Sequence, residues 1–293
     1  MNTTALLIGL CPVIGWGFFP TVASKIGGRP VHQIFGTTLG AFIFALIVAI
    51  ATKTALPTGG DLILALFSGV GWALAQILTF QSFALVGASK ALPVTTAFQL
   101  LGASLWGVIF LGNWPSTSER IMGGIALILI IFGASLTVWM EKKSQESALV
   151  MKKAILILAI GEIGYLTYSA APQATTIDGM TAFLPQTIGM LLVAIIYGIV
   201  TSFKGRAVFT ERVSYGNIAS GFLFAFAALT YLISAQPNMN GLATGFVLSQ
   251  VCVVVGTLTS IWFLKQRKTK KEMRVTLIGL GLIIFAAALT VMN

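Results

Sequence analysis

The chain has 293 residues, 57% of them hydrophobic and 9% charged, with a formal net charge of +10 and a mean hydropathy of +0.94. Soluble proteins carry about 25% charged residues, so this composition excludes a soluble enzyme, a nucleic-acid-binding domain and a disordered chain. The apolar excess is gathered into runs of the length that crosses a hydrocarbon core, about 20 residues each, and the fold class is read as an all-α integral membrane protein.

In chain order the candidate spans are 4–24, 31–51, 62–86, 92–112, 121–140, 154–172, 179–202, 214–234, 241–264 and 275–292. No Lys or Arg precedes the first, so it reads as a span and not as a cleavable signal. Pro12 and Pro20 interrupt it on either side of Gly15-Trp16-Gly17, and Pro185 interrupts the seventh; each proline frees a backbone carbonyl. Gly36-xxx-Gly40 and Gly241-xxx-Gly245 permit close helix contact. Cys11 and Cys252 lie inside apolar runs and read as small hydrophobes, neither a disulfide nor a metal site. His32, beside the first charged loop, is expected to touch solvent. Trp114, Trp139 and Trp262 sit near span ends, where they read as interface anchors.

Lys and Arg concentrate on one side of these spans. Lys25, Arg29, Lys90, Lys142, Lys143, Lys152, Lys153, Lys204, Arg206, Arg212, Lys265, Arg267, Lys268, Lys270, Lys271 and Arg274 follow odd-numbered spans; Lys53 and Arg120 alone follow even-numbered ones. The positive-inside rule then makes the odd-numbered loops cytoplasmic and both termini extracellular. Ten spans with both ends on one side divide into two five-helix halves of opposite orientation, an inverted repeat. The expected organisation is a first repeat over 1–140, a cytoplasmic linker over 141–153 and a second repeat over 154–293. Gly15-Trp16 matches Gly164-Tyr165, Thr38-Leu39-Gly40 matches Thr187-Ile188-Gly189, and Gln99 matches Gln250 after a short shift.

Of the eight acidic residues, Glu162 is the one placed well inside a span, roughly 12 Å from its start. An ionised carboxylate at that depth costs a few kcal/mol, and such residues face cavities and mark pathways. Glu162 is the candidate proton-coupling residue; the competing reading is a hydrogen-bonded structural carboxyl. A second polar set is amide-rich: Gln76, Gln81, Gln99, Gln186 and Gln250. Amides donate and accept, which suits neutral polyhydroxylated ligands, although they also serve as glue between helices. The inner aromatics Trp16, Trp72, Trp106, Tyr165 and Tyr168 offer ring faces to a sugar or pack the core. Tyr165 follows Glu162 by three residues and shares its helix face.

Several longer segments are more specific than these motifs: Ile14-Gly15-Trp16-Gly17-Phe18-Phe19-Pro20, Ser24 to Pro30, Pro93 to Leu100, Gly161-Glu162, Tyr168 to Gln173, Tyr231 to Gly241 and Lys265-Gln266. Together they resemble the bacterial glucose/ribose porters of the drug/metabolite transporter superfamily, over essentially the whole chain, and most nearly its ribose-uptake members in Gram-positive bacteria. The resemblance implies a ten-helix inverted repeat and sugar uptake with protons, through a cavity lined by spans 1–4 and 6–9. Many relatives carry an acidic residue after spans 4 and 9, where this chain has Asn113 and Gln266; any role of that carboxylate is absent here or has moved, with Glu162 the candidate.

The expectation is thus a secondary active D-ribose permease in the bacterial cell membrane, working by proton symport and alternating access. Trp16, Gln76, Gln99, Tyr165, Gln186 and Gln250 are the expected substrate-binding residues, with sugar, protons and membrane lipid as partners and no nucleic acid. Neither a cofactor nor a metal is expected, and no Walker-type loop provides for ATP. Glucose uptake and metabolite or drug export are the alternatives. An intramembrane enzyme is the remote one, since a lone embedded Glu and one His give hydrolysis little to work with.

Overall fold

The computed structural model describes residues 3–110, 114–141, 145–203, 207–234, 239–240, 245 and 248–289, the side chains of Glu146 and Gln173 excepted. Among these residues all the regular structure is helix, as a lipid-facing backbone requires. The helices are α1 (Thr3–Ile26), α2 (Pro30–Thr52), α3 (Gly59–Val86), α4 (Ala88–Phe110), α5 (Thr117–Thr137), α6 (Gln145–Ala170) and α7 (Gly179–Ser202). They continue with α8 (Arg212–Ser234), α9 (Leu248–Phe263) and α10 (Lys270–Leu289). Eight of them are long and apolar enough to cross a membrane; α6 and the described part of α9 are outside that set. Half or more of the side chains of Ile14, Ile47, Ile63, Ile109, Ile128, Ile163 and Ile196 is exposed. An apolar belt of this extent is a surface for lipid, not water.

At α5 and α10 capping chemistry sets helix starts that fall earlier than the apolar runs suggest. In α5 the Ser116 hydroxyl accepts from the Glu119 N–H and the Glu119 carboxylate accepts from the Ser116 N–H at 2.7 Å, a reciprocal cap. That places Glu119 and Arg120 inside the first turn, where a hydropathy reading begins at 121. Thr269 and Glu272 do the same for α10, which starts at Lys270 and not at 275. Asp178 caps α7 through the Thr181 N–H. α6 opens at Gln145, so most of the segment expected as a linker over 141–153 is helix. Lys152 and Lys153 are exposed while Met151 and Ala154 are buried, so the amphipathic turns continue the span outward.

The helices pair across the chain's midpoint. α3 packs along α6 and α7, α8 along α1 and α2, α9 along α1, α4 along α6, α2 along α7 and α5 along α10. Glycines set the closest crossings. Gly69 of α3 lies on the Gln186 carbonyl and the Met190 N–H of α7, and Gly221 of α8 on the Thr37 carbonyl and the Ala41 N–H of α2. Gly71 and Gly164 face one another between α3 and α6, as Gly133 and Gly279 do between α5 and α10. Gly36 and Gly40 seat α2 on α8; Gly241 of the second small-residue pair lies outside the described residues.

Candidate functional site

Where α1, α3, α4, α6, α8 and α9 converge they enclose a cavity of about 110 Å³. α1 contributes Trp16, Phe19 and Pro20, and α3 contributes Trp72, Gln76, Thr79 and Phe83. Leu92, Thr95, Thr96 and Gln99 come from α4, and Tyr165, Tyr168 and Ser169 from α6. Phe224 and Tyr231 of α8, with Gln250 and Cys252 of α9, complete the wall. Tilted ring pairs organise it: Trp72 and Phe224 lie 4.1 Å apart between centroids, and Trp16 and Tyr231 lie 5.5 Å apart. Pro20 has no N–H to donate to the Trp16 carbonyl.

The polar groups are linked through Tyr165. Its hydroxyl donates to Gln76 Oε1 at 2.8 Å and is 2.9 Å from Thr79 Oγ1. Gln76 Nε2 and Trp16 Nε1 are buried and have no partner among the described residues. The Gln250 amide nitrogen reaches Ser249 Oγ at 3.3 Å. Rings, amides and hydroxyls thus share one enclosed space, which is the chemistry of a neutral, oxygen-rich ligand with apolar faces.

The family profile described as "Sugar transport protein" matches residues 7–293. The chain belongs to that family. Proteins named "Putative ribose uptake protein RbsU" are similar to it over nearly their whole length. The one from Enterococcus faecalis is 65% identical, covering 100% of both chains. Those from Lactobacillus johnsonii and Staphylococcus aureus are 63% and 61% identical, covering 99% of both chains in each case. A solved crystal structure matches with a TM-score of 0.68 at 15% identity, covering 99% of each chain, and shares the fold. This member of the sugar transport protein family is therefore a multi-pass membrane protein and a sugar transporter.

Five of the six residues expected to bind substrate line the cavity of this sugar transport protein: Trp16, Gln76, Gln99, Tyr165 and Gln250. Gln186 is elsewhere. It is fully buried between α7 and α3, with Nε2 donating to Ser68 Oγ at 3.2 Å. Thr79, Thr95 and Thr96 were not singled out in sequence, because Ser and Thr satisfy themselves on helix carbonyls and blend into any span. Thr79 does bond the Ala75 carbonyl at 3.1 Å.

Glu162 lies outside the cavity wall, one turn from Tyr165, with its carboxyl against Gly102 of α4, where an added Cβ would come within 2.5 Å of Oε1. Glu162 Oε2 is buried without a hydrogen-bond partner among the described residues. Gly102 follows Gln99 by three residues, so the contact of Glu162 bears on the helix face that carries a cavity amide.

His32 is only 2% exposed, contrary to the solvent contact expected of it. Its Nδ1 accepts the Arg29 N–H at 3.0 Å and its Nε2 is 3.3 Å from Glu211, which Arg29 also pairs at 3.2 Å. This cluster ties the start of α2 to the start of α8, and burial follows from that contact. Trp262 is 64% exposed, Trp114 lies over Gly123 and Trp139 lies under Lys271.

Gln266 accepts the Ser89 N–H at 3.0 Å beside Gly87, whose φ of 84° and lack of a Cβ make room for the amide. It joins the end of α9 to the α3–α4 turn; Asn113, the other departure from the porters, lies outside the described residues. Nearby, Lys268 Nζ donates to the Thr137 carbonyl and to Thr276 Oγ1, both at 2.7 Å. Burial, reinforced by the Lys90 ammonium and opposed by Glu272, lowers the Lys268 pKa to about 8. A lysine at the ordinary value of about 10.4 is almost wholly protonated at pH 7.5, whereas Lys268 is then partly neutral. Amine acylation monitored by peptide mass spectrometry should show Lys268 labelling rise through pH 8; a midpoint above 10 would contradict the burial.

Proposed function

We propose that the chain is a ten-span permease of two inverted five-helix repeats that imports D-ribose by proton symport with alternating access. The cavity carries the sugar part of this reading: a space between helices of both halves, walled by amides, hydroxyls and aromatic rings. The names of the similar proteins from three Gram-positive genera support ribose as the sugar.

The packing supports the inverted repeat. Gly15 of α1 meets the Leu223 carbonyl and Ala227 of α8 just as Gly164 of α6 meets the Gly71 carbonyl and Ala75 of α3. The α2–α8 crossing at Thr37, Ala41 and Gly221 has its counterpart in the α7–α3 crossing at Gln186, Met190 and Gly69. Even the hydrogen bonds correspond: Thr37 to Ser220 at 2.8 Å and Gln186 to Ser68 at 3.2 Å. Gln186 stands at the place equivalent to Thr37 and holds two helices together. Residues 1–140 and 154–293 are the two repeats on this reading, with both termini outside the cell membrane.

Trp16, Gln76, Gln99, Tyr165 and Gln250 bind the sugar, and Glu162 takes up and releases the proton. Protonation removes a charge pressed between α6 and Gly102 of α4, so it changes the fit of two cavity helices against each other. One charge moving through 100 mV supplies about 2.3 kcal/mol, enough for roughly fiftyfold accumulation. No cofactor or chemical step enters this cycle.

The test is uptake of labelled D-ribose into proteoliposomes with an imposed inward proton gradient. Accumulation above the external concentration that collapses with an uncoupler is the expected result. Saturable but merely equilibrating entry would remove the symport, and no entry from folded protein would remove ribose.

A further inference from the structure

Trp16 and Gln76 stand out within the cavity wall because their N–H groups are buried without a hydrogen-bond partner among the described residues. Leaving a buried donor unmet is costly, so these two are the groups a ligand must satisfy first. An indole nitrogen can only donate. An amide can ordinarily do both, but Gln76 is constrained. Thr79 Oγ1 lies 2.9 Å from the Tyr165 oxygen, and the Tyr165 hydroxyl donates to Gln76 Oε1 at 2.8 Å. With its carbonyl engaged, Gln76 is left as a donor as well.

Two donor-only groups, one on α1 and one on α3, are best met by an oxygen that has lone pairs and no proton. A sugar hydroxyl placed there must turn its own hydrogen away, whereas the ring oxygen of a cyclic sugar has none to place. We propose that Trp16 Nε1–H and Gln76 Nε2–H recognise the ring oxygen, and that Tyr165 is the positioning residue that holds the Gln76 amide in its donating orientation. The proposal rests on the reading of the cavity as a sugar site and adds which atom of the sugar it reads. It also gives Tyr165 a role through its hydroxyl in place of a ring face.

The test compares D-ribose with its carbocyclic analogue, in which a methylene replaces the ring oxygen, as competitors of labelled D-ribose binding to the purified protein. Wild type should prefer ribose by tenfold or more, since the methylene leaves both donors unmet. Trp16→Phe keeps a ring and loses one donor, and should bring the preference toward unity. Tyr165→Phe frees the amide to turn its carbonyl inward, and should do the same. A Tyr165→Phe variant that binds more weakly but keeps the wild-type preference overturns the positioning role. Equal affinity of wild type for ribose and analogue overturns ring-oxygen recognition while leaving the sugar site standing. Absence of ribose binding removes the sugar site and the proposal together. Should Tyr165→Phe fail to fold, the wild-type preference and Trp16→Phe still decide the ring-oxygen claim, and Thr79→Val, which removes the hydroxyl 2.9 Å from the Tyr165 oxygen, tests the positioning.

Discussion

Replacing Glu162 by Gln should abolish accumulation of ribose above its external concentration while leaving exchange of ribose across the membrane. The substitution is nearly isosteric, so the contact with Gly102 is kept and the fold is undisturbed. What is lost is the ability to alternate between a charged and a neutral side chain at a place where Oε2 has no partner among the described residues. A permanently neutral group imitates the proton-loaded form, in which a carrier still turns over with sugar bound on either side. Up to fiftyfold accumulation at 100 mV should therefore fall to unity, with counterflow retained. Measuring net uptake and counterflow on the same vesicles separates the two. Unchanged accumulation would exclude Glu162 as the coupling group, and loss of both activities would show a structural carboxyl. Gly102→Ala makes the converse test, since its methyl would push the carboxyl away from α4.

The second large effect should come from Gly69. A methyl there falls on the Gln186 carbonyl of α7, which is backbone and cannot swing aside as a side-chain tip would. Overpacking of a well-filled interior costs about 1–3 kcal/mol, and separating two helices at their closest approach also opens the Ser68–Gln186 hydrogen bond. Gly69→Ala should lower the temperature at which the detergent-solubilised protein loses its monodisperse elution profile by several degrees. Gly221→Ala, at the equivalent crossing on the Thr37 carbonyl, should match it. Gly124 and Gly281 provide the contrast. Nothing described lies within 4 Å of a Cβ at either position, and alanine is favoured over glycine in a helix by about 1 kcal/mol. Gly124→Ala and Gly281→Ala should be neutral or stabilising. Equal losses at all four sites would mean that close packing at these crossings does not limit stability.

Most of the candidate site was legible before the fold because lipid excludes polar side chains unless they have a use. Trp16, Gln76, Gln99, Tyr165 and Gln250 were conspicuous in apolar runs, and all five line one cavity. Gln186 was equally conspicuous and went to a helix crossing instead. A helix that is apolar on every side has little amphipathic asymmetry to say which face turns inward. The burial of His32 was illegible for a related reason, since it depends on Arg29 and on Glu211, a residue far along the chain. Thr79 gave no signal in sequence, although it lies 2.9 Å from the Tyr165 hydroxyl that bonds Gln76.

Composition and hydropathy alone determined that this is a helical membrane protein, because the bilayer acts as a solvent on every residue independently and its demands are met locally along the chain. The family was equally a matter of sequence, carried by segments spread from Ile14 to Gln266. Which polar residues meet, which glycines touch, and which nitrogens have no partner among the described residues were decided by tertiary structure. These are properties of pairs on different helices, and pairing depends on rotations and crossings that act between helices and leave no periodic mark on either one.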